Sequence, residues 1–348
     1  ILAMAFLMPG IQSNSIAVGL DNAFGMNKWV TAIILIVLIG AIIFGGVKRI
    51  ATVAQYVVPF MALGYIIMAF IIMLMNITEL PAVFALIFKS AFGAEQAFGG
   101  IIGLAISWGV KRGIYSNEAG QGTGPHAAAA AEVSHPAKQG LVQAASIYID
   151  TLLVCSATAF MILFTGMYNV QADDGAFIVN NLGETVEAGP AYTQAAVETA
   201  LPGFGAGFTA IALFFFAFTT IMAYYYMAET NIAYLLRGRD NRTAMLILKI
   251  VLLGSMTYGT VNEAKLAWAF GDIGLGLMVW LNVIAILILA KPALATLKDY
   301  ESQRKAGLDP VFNPVKLGIK NADYWVNDYK HEDNPSGSLA DNDKSFPG

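Results

Sequence analysis

Long windows without a charged side chain constrain this sequence more than any other feature. They contain no Asp, Glu, Lys or Arg and cover residues 1–20, 29–47, 50–78, 151–172 and 201–228. About 20 apolar residues in a helix span the roughly 30 Å hydrocarbon core of a bilayer, whereas a barrel strand needs only about 10. The windows also lack the alternation of polar and apolar residues that barrel strands require. The sequence therefore predicts an all-α fold, a polytopic membrane helix bundle.

Composition supports a membrane protein. Hydrophobic residues make up 57% of the 348-residue chain and charged residues only 13%, against roughly 25% charged residues in soluble domains. The net charge is −4 without a polybasic block, so we expect the lipid bilayer as a partner and no nucleic acid. The one cysteine, Cys155, excludes an internal disulfide.

The apolar segments predict about eight membrane spans. They lie at about 1–21, 29–47, 52–77, 98–132, 139–168, 205–236, 243–261 and 264–290, and the fourth is interrupted. The chain opens at "ILAMAFLMPG", inside a span, so we interpret it as an N-terminally truncated fragment. Residues 1–290 form the predicted transmembrane domain. Residues 291–348 form a C-terminal tail, most of which has the polar composition of a flexible segment.

Lysine and arginine are distributed unequally over the connections between spans. One set of connections holds Lys48, Arg49, Lys138 and the cations of "LRGRDNR". The segment 171–203 belongs to the other set and carries five carboxylates but no Lys or Arg. By the positive-inside rule, the first set is cytoplasmic. The C-terminal tail lies on the same side, so the C-terminus is expected to be cytoplasmic.

The stretch "GVKRGIYSNEAGQGTGP", residues 109–125, interrupts the apolar pattern with two adjacent cations, an Asn-Glu pair and five glycines. A charge at bilayer depth costs about 2.5 kcal/mol or more and persists where it faces a polar cavity or a partner. Each glycine weakens a helix by up to about 1 kcal/mol relative to alanine. We therefore predict a helix broken at mid-membrane, whose freed backbone groups line a ligand site. The alternative is a packed helix with small residues at a helix contact, which does not require the charges.

Three longer segments carry a resemblance to a known family. They are "RGIYSNEAGQGTGPHAAAAAE", "QGLVQAASIYIDTLLVCSATAFMILFTG" and "FAFTTIMAYYYMAETN". With the order of the spans, they resemble the alanine or glycine:cation symporter family of bacteria and archaea over nearly the whole chain. The resemblance implies a LeuT-type inverted repeat whose first and sixth core helices are broken, in the plasma (inner) membrane of a prokaryote. The first two core helices are missing here, so the interrupted span would be core helix six of a transporter domain with core helices three to ten.

The resemblance implies that the centre of the broken helix, Gly113–Asn117, faces an amino-acid substrate. The substrate-binding set is then Gln12, Gly113, Ile114, Tyr115, Ser116, Asn117 and Gly120. Gln12 and Asn14 resemble polar positions of core helix three. For both, the alternative is a hydrogen bond that only joins neighbouring helices.

The resemblance also implies a Na⁺ site on the eighth core helix. LeuT-type sodium transporters place adjacent hydroxyl residues there, where this sequence has Thr219 and Thr220, and Phe216 completes the cation-binding set. The alternative is a hydrogen bond from each hydroxyl to the carbonyl four residues earlier, which is ordinary for Thr in membrane helices. No HExxH motif or paired Cys occurs, so we expect no metal beyond Na⁺ and no cofactor.

Charged residues inside the spans need partners. We expect Arg112 and Glu118 to pair structurally and to hold the broken helix in place. Asp150 interrupts "SIYIDTLLVCS" and has two open roles, pairing with Lys111 or Arg112 or helping to hold a cation. Asp272 also interrupts a span.

The predicted function is secondary active symport of a small neutral amino acid, alanine or glycine, with a cation by alternating access. The resemblance implies Na⁺, and H⁺ remains open as the coupling ion. An intramembrane enzyme and an ion channel also keep charges at depth. The sequence lacks the Tyr-Asp and Gly-x-Gly-Asp pairs of intramembrane aspartyl proteases and the Gly-x-Ser-x-Gly turn of serine hydrolases. We therefore expect no enzyme, whereas a channel remains compatible with a broken helix.

Overall fold

The computed structural model describes residues 1–45, 47–91, 102–171 and 175–329, most of which are helical. The α-helices are α1 (Pro9–Phe24), α2 (Lys28–Ile43), α3 (Val47–Met75), α4 (Leu80–Ala91), α5 (Ile102–Asn117), α6 (Gly124–Ala128), α7 (Pro136–Ile149), α8 (Ser156–Thr165), α9 (Pro190–Ala200), α10 (Gly205–Leu235), α11 (Arg242–Val261) and α12 (Ala264–Lys305). Turns of π-helix cover Ala3–Leu7, Asp150–Cys155 and Tyr324–Asp328, and a 3₁₀ turn covers Ile77–Glu79. A short antiparallel hairpin pairs β1 (Asn169–Gln171) with β2 (Phe177–Asn180).

Within the described residues, six helical segments are long and apolar enough to cross a membrane. They are Ala3–Phe24, Thr52–Met75, Pro136–Thr165, Gly205–Leu235, Arg242–Val261 and Ala264–Lys305. Two further predicted spans correspond to α2 and α5, which have 16 residues each. Residues 98–101 of the predicted interrupted span lie outside the described residues. The prediction of a polytopic helical membrane protein is confirmed, and the chain is a multi-pass membrane protein.

The chain divides into two compact units. The first comprises Ile1–Gln121 and Tyr148–Met278. Its core centres on α10, which packs against α1, α3 and α9. The side chains of Ile16, Ile221 and Leu252 are fully buried there.

Glycines allow α1 and α11 to approach each other backbone to backbone. A Cβ atom at Gly259 would overlap the backbone of Gly10, and one at Gly271 on α12 would overlap the Ile11 side chain. Lipid tails are as apolar as leucine, so membrane helices associate through close packing of small residues rather than through the hydrophobic effect. These glycines fix the position of α1, which carries several polar residues of the site.

The second unit comprises Gly122–Ile147 and Val279–Gly348. In it, α12 continues to Lys305, and the segment after it folds back onto the loop before α7. The Phe312 N–H donates to the Ser134 carbonyl over 3.0 Å, and the Phe312 and Trp325 ring centres lie 5.1 Å apart.

The described part of the C-terminal segment therefore differs from the flexible tail that its composition predicts. Helix-forming residues in "KDYESQRK" extend α12 after the hydrophobicity falls. Beyond the helix, Phe312 is only 4% exposed. An average composition does not reveal such single aromatic anchors. Residues 330–348 lie outside the described part of the chain.

Candidate substrate and cation sites

Helix α5 is continuous where the sequence predicts a break. It runs from Ile102 through Gly113 to Asn117. The backbone leaves the helix at Glu118, which has a φ of 55°, and Gly120 and Gly122 follow with φ of 85° and 93°. The predicted broken centre at Gly113–Asn117 is wrong because a single glycine is tolerated inside a helix. The interruption before α6 lies a few residues later, where glycine adopts left-handed backbone conformations readily, and it contains Gly120.

Gln12 and Tyr115, which the sequence singles out, lie together. The Gln12 amide nitrogen is 3.1 Å from the Tyr115 hydroxyl and 3.3 Å from the Tyr224 hydroxyl. The three side chains connect α1, α5 and α10. The Tyr115 ring also lies 5.5 Å from the Trp268 ring of α12, centre to centre. The arrangement is a polar group enclosed by aromatic rings between four helices.

Asn14 joins helices rather than facing this group. Its amide nitrogen donates to the carbonyls of Gly259, over 3.0 Å, and Asn262, over 2.8 Å. The neighbouring Ser13 hydroxyl donates to the Met256 carbonyl over 2.7 Å. Both residues therefore fasten α1 to α11, the role that the sequence leaves open as the alternative for Asn14.

Ser116 and Asn117 face a different partner from Tyr115. The Ser116 hydroxyl donates to Asp150 Oδ2 over 2.8 Å, and the Asn117 amide donates to the Thr151 hydroxyl over 2.8 Å. Both partners belong to the π-helical turn that follows α7. The end of α5 thus presents Tyr115 to α1 and α10, and the next two residues to the π-helical turn.

Gly113 and Ile114 lie in the last turns of α5. A Cβ atom at Gly113 would meet no atom within 4 Å among the described residues. Both residues lie beside Tyr115 in the helix, and neither has a side chain that forms hydrogen bonds. Their predicted contact with substrate therefore stays a prediction.

The carboxylate that Arg112 reaches is that of Asp272 on α12. The Arg112 Nη1 atom lies 3.3 Å from Asp272 Oδ1, and the Lys111 Nζ atom lies 2.6 Å from Oδ2. The guanidinium carbon of Arg112 also lies 4.3 Å from the centre of the Trp268 ring, a cation–π contact. The ion pairing therefore holds α5 against α12, whereas the sequence assigns Arg112 to Glu118. Of the two roles that the sequence leaves open for Asp150, pairing with Lys111 or Arg112 is not seen among the described residues, where the Ser116 hydroxyl donates to its carboxylate.

The two threonines of the predicted Na⁺ site bond to their own helix. Thr219 Oγ1 donates to the carbonyls of Phe215 and Phe216, over 3.0 and 2.9 Å, and Thr220 Oγ1 donates to Phe216 over 2.9 Å. This is the alternative that the sequence leaves open. Each hydroxyl oxygen keeps lone pairs for a further partner, so the Na⁺ role of Thr219, Thr220 and Phe216 stays a prediction.

A cavity of about 330 Å³ lies elsewhere in the first unit. Its walls come from the start of the chain, α1, α11 and α12, and include Phe6, Leu7, Tyr258 and Phe270. Charged side chains are absent from this lining, which does not include Tyr115. The cavity is therefore not the site that the sequence predicts.

Sequence reasoning missed Tyr224 and Trp268, which complete the group around Tyr115. The signal for Tyr224 was present, since three consecutive tyrosines in "MAYYYMAE" lie within an apolar span. A buried tyrosine usually finds a partner for its hydroxyl. Which of the three tyrosines faces α1 depends on the rotation of α10, and the sequence alone does not give that rotation.

Comparisons with known proteins give the family. A sequence profile of the sodium:alanine symporter family matches residues 1–314. A putative sodium/proton-dependent alanine carrier protein, YrbD of Bacillus subtilis, is 72% identical over 95% of this chain and 68% of that protein. The sodium/proton-dependent alanine carrier protein of Bacillus sp. (strain PS3) is 63% identical over 97% of this chain and 76% of that protein. A probable sodium/glutamine symporter, GlnT of Bacillus subtilis, is 42% identical over 89% of this chain and 62% of that protein. This protein belongs to the sodium:alanine symporter family.

Proposed function

We propose that this protein transports alanine together with Na⁺ across the membrane by alternating access. The proposal is supported by the family and by the names of the two similar alanine carriers. Membership in a family of symporters sets aside the intramembrane enzyme. The distribution of Lys and Arg supports a cytoplasmic C-terminus, and the bacterial relatives support the plasma (inner) membrane of a prokaryote.

The observation that carries the proposal is the hydrogen-bonded group of Gln12, Tyr115 and Tyr224. An amide and two phenols offer both donors and acceptors without a net charge, which suits a zwitterion with no side-chain charge. In this structure they bond to one another. Alanine would replace these bonds with its own carboxylate and ammonium groups, so binding would change the contacts between α1, α5 and α10.

Backbone groups at the end of α5 extend this site. The last four carbonyls of a helix have no partner within it, and Gly120 follows the end of α5 with a left-handed backbone at φ 85°. Discontinuous helices of transporters bind substrate and cation with such groups. Gly120 therefore belongs to the proposed substrate site as a backbone contact, beside Gly113 and Ile114.

The coupling ion is assigned from chemistry and from the relatives. The two similar carriers are named sodium/proton-dependent, and adjacent hydroxyls at Thr219 and Thr220 offer hard, neutral oxygen ligands. We assign Na⁺ to this position on α10.

The test is uptake of labelled alanine into proteoliposomes that contain the full-length protein. An inward Na⁺ gradient should drive accumulation. Tyr115→Phe removes the hydroxyl that accepts from Gln12 and should raise the alanine concentration for half-maximal uptake about three- to tenfold, the equivalent of one hydrogen bond. Tyr234→Phe is the matched control, because Tyr234 lies on α10 but is 65% exposed. No accumulation by the wild type under a Na⁺ gradient would overturn the proposal, and accumulation under a proton gradient alone would assign H⁺.

A further inference from the structure

Glu229 is a partly buried carboxyl group that the proposed transport site does not use. It lies on α10 and is the only Asp, Glu, Lys or Arg residue of that 31-residue helix. Its Oε2 atom is buried and has no hydrogen-bond partner among the described residues. An ionised oxygen without a donor is expensive in an apolar setting. The structure therefore requires an explanation of how α10 accommodates this group.

The surroundings of Glu229 are apolar apart from one tyrosine. Tyr225 lies one turn earlier on the same face of α10, and its side chain is fully buried. It packs in a cluster with Ile43 of α2 and Leu248 of α11. The Tyr225 hydroxyl also has no hydrogen bond of normal geometry among the described residues, although it lies close enough to Glu229 to interact with it. Two neighbouring polar groups thus share one apolar environment.

The cation at the same depth is Lys249 on α11, the helix that follows α10 and packs against it. Glu229 lies six residues before Leu235, where α10 ends, and Lys249 lies seven residues after Arg242, where α11 begins. At 1.5 Å per residue, each is about 10 Å from the connection between the helices. No salt bridge joins them in the described part of the chain. Instead, the Lys249 Nζ atom lies 4.6 Å from the centre of the Phe44 ring, a cation–π contact.

A protonated carboxyl group fits this arrangement better than an ionised one. The neutral acid offers one O–H donor and keeps acceptor oxygens, so it pairs with the Tyr225 hydroxyl, which also donates and accepts. An ionised carboxylate only accepts, and it would attract Lys249 strongly in an apolar environment. Lysine has a long, flexible side chain that could follow this attraction. The position of Lys249 over Phe44 therefore indicates that Glu229 carries a proton.

The other titratable groups around Glu229 come from α10 itself and from the elements that pack against it, which include α1, α2, α3, α9 and α11. Among the described side chains, Tyr225 and Lys249 are the groups that act on Glu229 electrostatically. The first turn of α3 carries Lys48 and Arg49, whose side chains lie outside the described part of the structure. The remaining titratable residues of these helices are Asp21, Lys28, Tyr56, Tyr65, Tyr192, Glu198, Tyr224, Tyr226, Tyr234, Arg242 and Tyr258. An experiment must therefore report the protonation of Glu229 directly.

We propose that Glu229 is a proton-binding site and that Lys249 competes with the proton for its carboxylate. With the proton bound, Glu229 pairs with Tyr225, and Lys249 stays on the Phe44 ring. When the proton leaves to water, the Lys249 ammonium group pairs with the carboxylate and ties α11 to α10, and no other proton moves. The proton thus controls a contact of the helix that also carries Tyr224. The inference goes beyond symport of alanine and Na⁺ and does not require it.

The test is infrared difference spectroscopy of the purified full-length protein in lipid, recorded as the pH is changed. A protonated carboxyl group has a C=O stretching band that a carboxylate lacks. The wild type should show this band at neutral pH, where an ordinary glutamate with a pKa of about 4.3 is ionised, and Glu229→Gln should lose it. Tyr225→Phe should shift the frequency of the band, because the hydroxyl that pairs with the acid is removed.

Lys249→Gln tests the competition and keeps the proposal testable if Glu229→Gln folds poorly. Without the competing cation, the acid band should persist to a pH about one unit or more above that at which the wild type loses it. Glu301→Gln and Lys298→Gln are the matched controls. Both residues are exposed and lie on α12, so neither substitution should change the band.

Two results would overturn the proposal. The first is a Glu229 band that appears only below about pH 5, because Glu229 would then be an ordinary ionised carboxylate. A salt bridge between Glu229 and Arg49 would give this result. The second is loss of the band at the same pH in Lys249→Gln and in the wild type. Since the measurement needs neither alanine nor Na⁺, a failure of the proposed symport is distinguished from a failure of this site.

Discussion

Gln12 on α1 donates a hydrogen bond to the hydroxyl of Tyr115 on α5, with 3.1 Å between nitrogen and oxygen. The next two residues, Ser13 and Asn14, bond to the backbone of α11. Helix α1 is thus fixed to α11 and presents Gln12 to α5 and α10. A site residue on a rigid, well-packed helix is held in position more accurately than one on a loop.

The hydroxyl pair on α10 gives the first prediction. Thr219→Ala combined with Thr220→Ala should raise the Na⁺ concentration for half-maximal alanine uptake about tenfold or more, because two oxygen ligands to a charged ion are lost. Thr230→Ala is the matched control, since its hydroxyl makes the same bond to the carbonyl four residues earlier on the same helix. An unchanged Na⁺ dependence in a folded double variant would show that the threonines only bond to their helix.

The crossing of α1 and α11 gives the second prediction. Gly259→Ala places a methyl group against the backbone of Gly10, and overpacking of this kind costs about 1–3 kcal/mol. We expect a lower thermal unfolding temperature in detergent and weaker alanine binding, since α1 carries Gln12. Gly254→Ala lies on the same helix with no atom within 4 Å of the added group and should change neither. Equal stability of the two variants would contradict the close approach.

The fold class could be predicted because apolar length is a local property. The uncharged windows follow from composition, and six helical segments within the described residues are long and apolar enough to cross a membrane. The position of the interruption after α5 could not be predicted in the same way. Gly113 and Gly120 look equivalent in sequence, but only Gly120 has a left-handed backbone, whereas the single Gly113 is tolerated inside α5.

The partners of the site residues were predicted less well for a related reason. Gln12 and Tyr115 could be found as polar residues in apolar spans, yet their contact depends on how α1 and α5 rotate about their axes. Several carboxylates lie close to Arg112 in the sequence. Its actual partner, Asp272, is 160 residues away along the chain. A charge inside a span predicts that a partner exists but does not identify that partner.

The ion pairing of α5 with α12 gives the third prediction. Asp272→Asn leaves Lys111 and Arg112 without their carboxylate. Removing one partner of a fully buried pair costs about 3–5 kcal/mol, but the Asp272 side chain is 25% exposed, so solvent screening reduces the expected loss to about 1–3 kcal/mol. Thermal unfolding should show this loss. Asp240 forms an exposed ion pair with Arg242, with 3.9 Å between Oδ1 and Nε, so Asp240→Asn should leave the unfolding temperature nearly unchanged. An equal effect of both variants on the unfolding temperature would contradict the structural role of Asp272.

A buried histidine in the second unit sets up the last prediction. His135 precedes α7, and its side chain is fully buried. The Ala137 N–H donates to its Nδ1 over 3.2 Å, so the proton of the neutral ring is on Nε2, which lies 3.3 Å from Asp299 Oδ2. The rings of Tyr300 and Phe312 lie 5.4 and 5.3 Å away, centre to centre. Packing of the C-terminal segment therefore involves a neutral imidazole.

The fourth prediction is that this packing weakens as the pH falls. Burial lowers the pKa of His135 below its usual value of about 6.5, and nearby Lys138 adds to this, although Asp299 opposes it. The folded state thus binds its proton less readily than the unfolded state, so the contribution to stability is present above about pH 6.5 and is lost as the pH falls below it. A second proton on Nδ1 would also face the Ala137 N–H, donor against donor. The expected result is a fall in unfolding temperature from pH 7.5 to pH 5 that is smaller in His135→Gln, whose amide keeps a donor and an acceptor but does not titrate. A variant with the same pH dependence as the wild type would assign the effect to other groups.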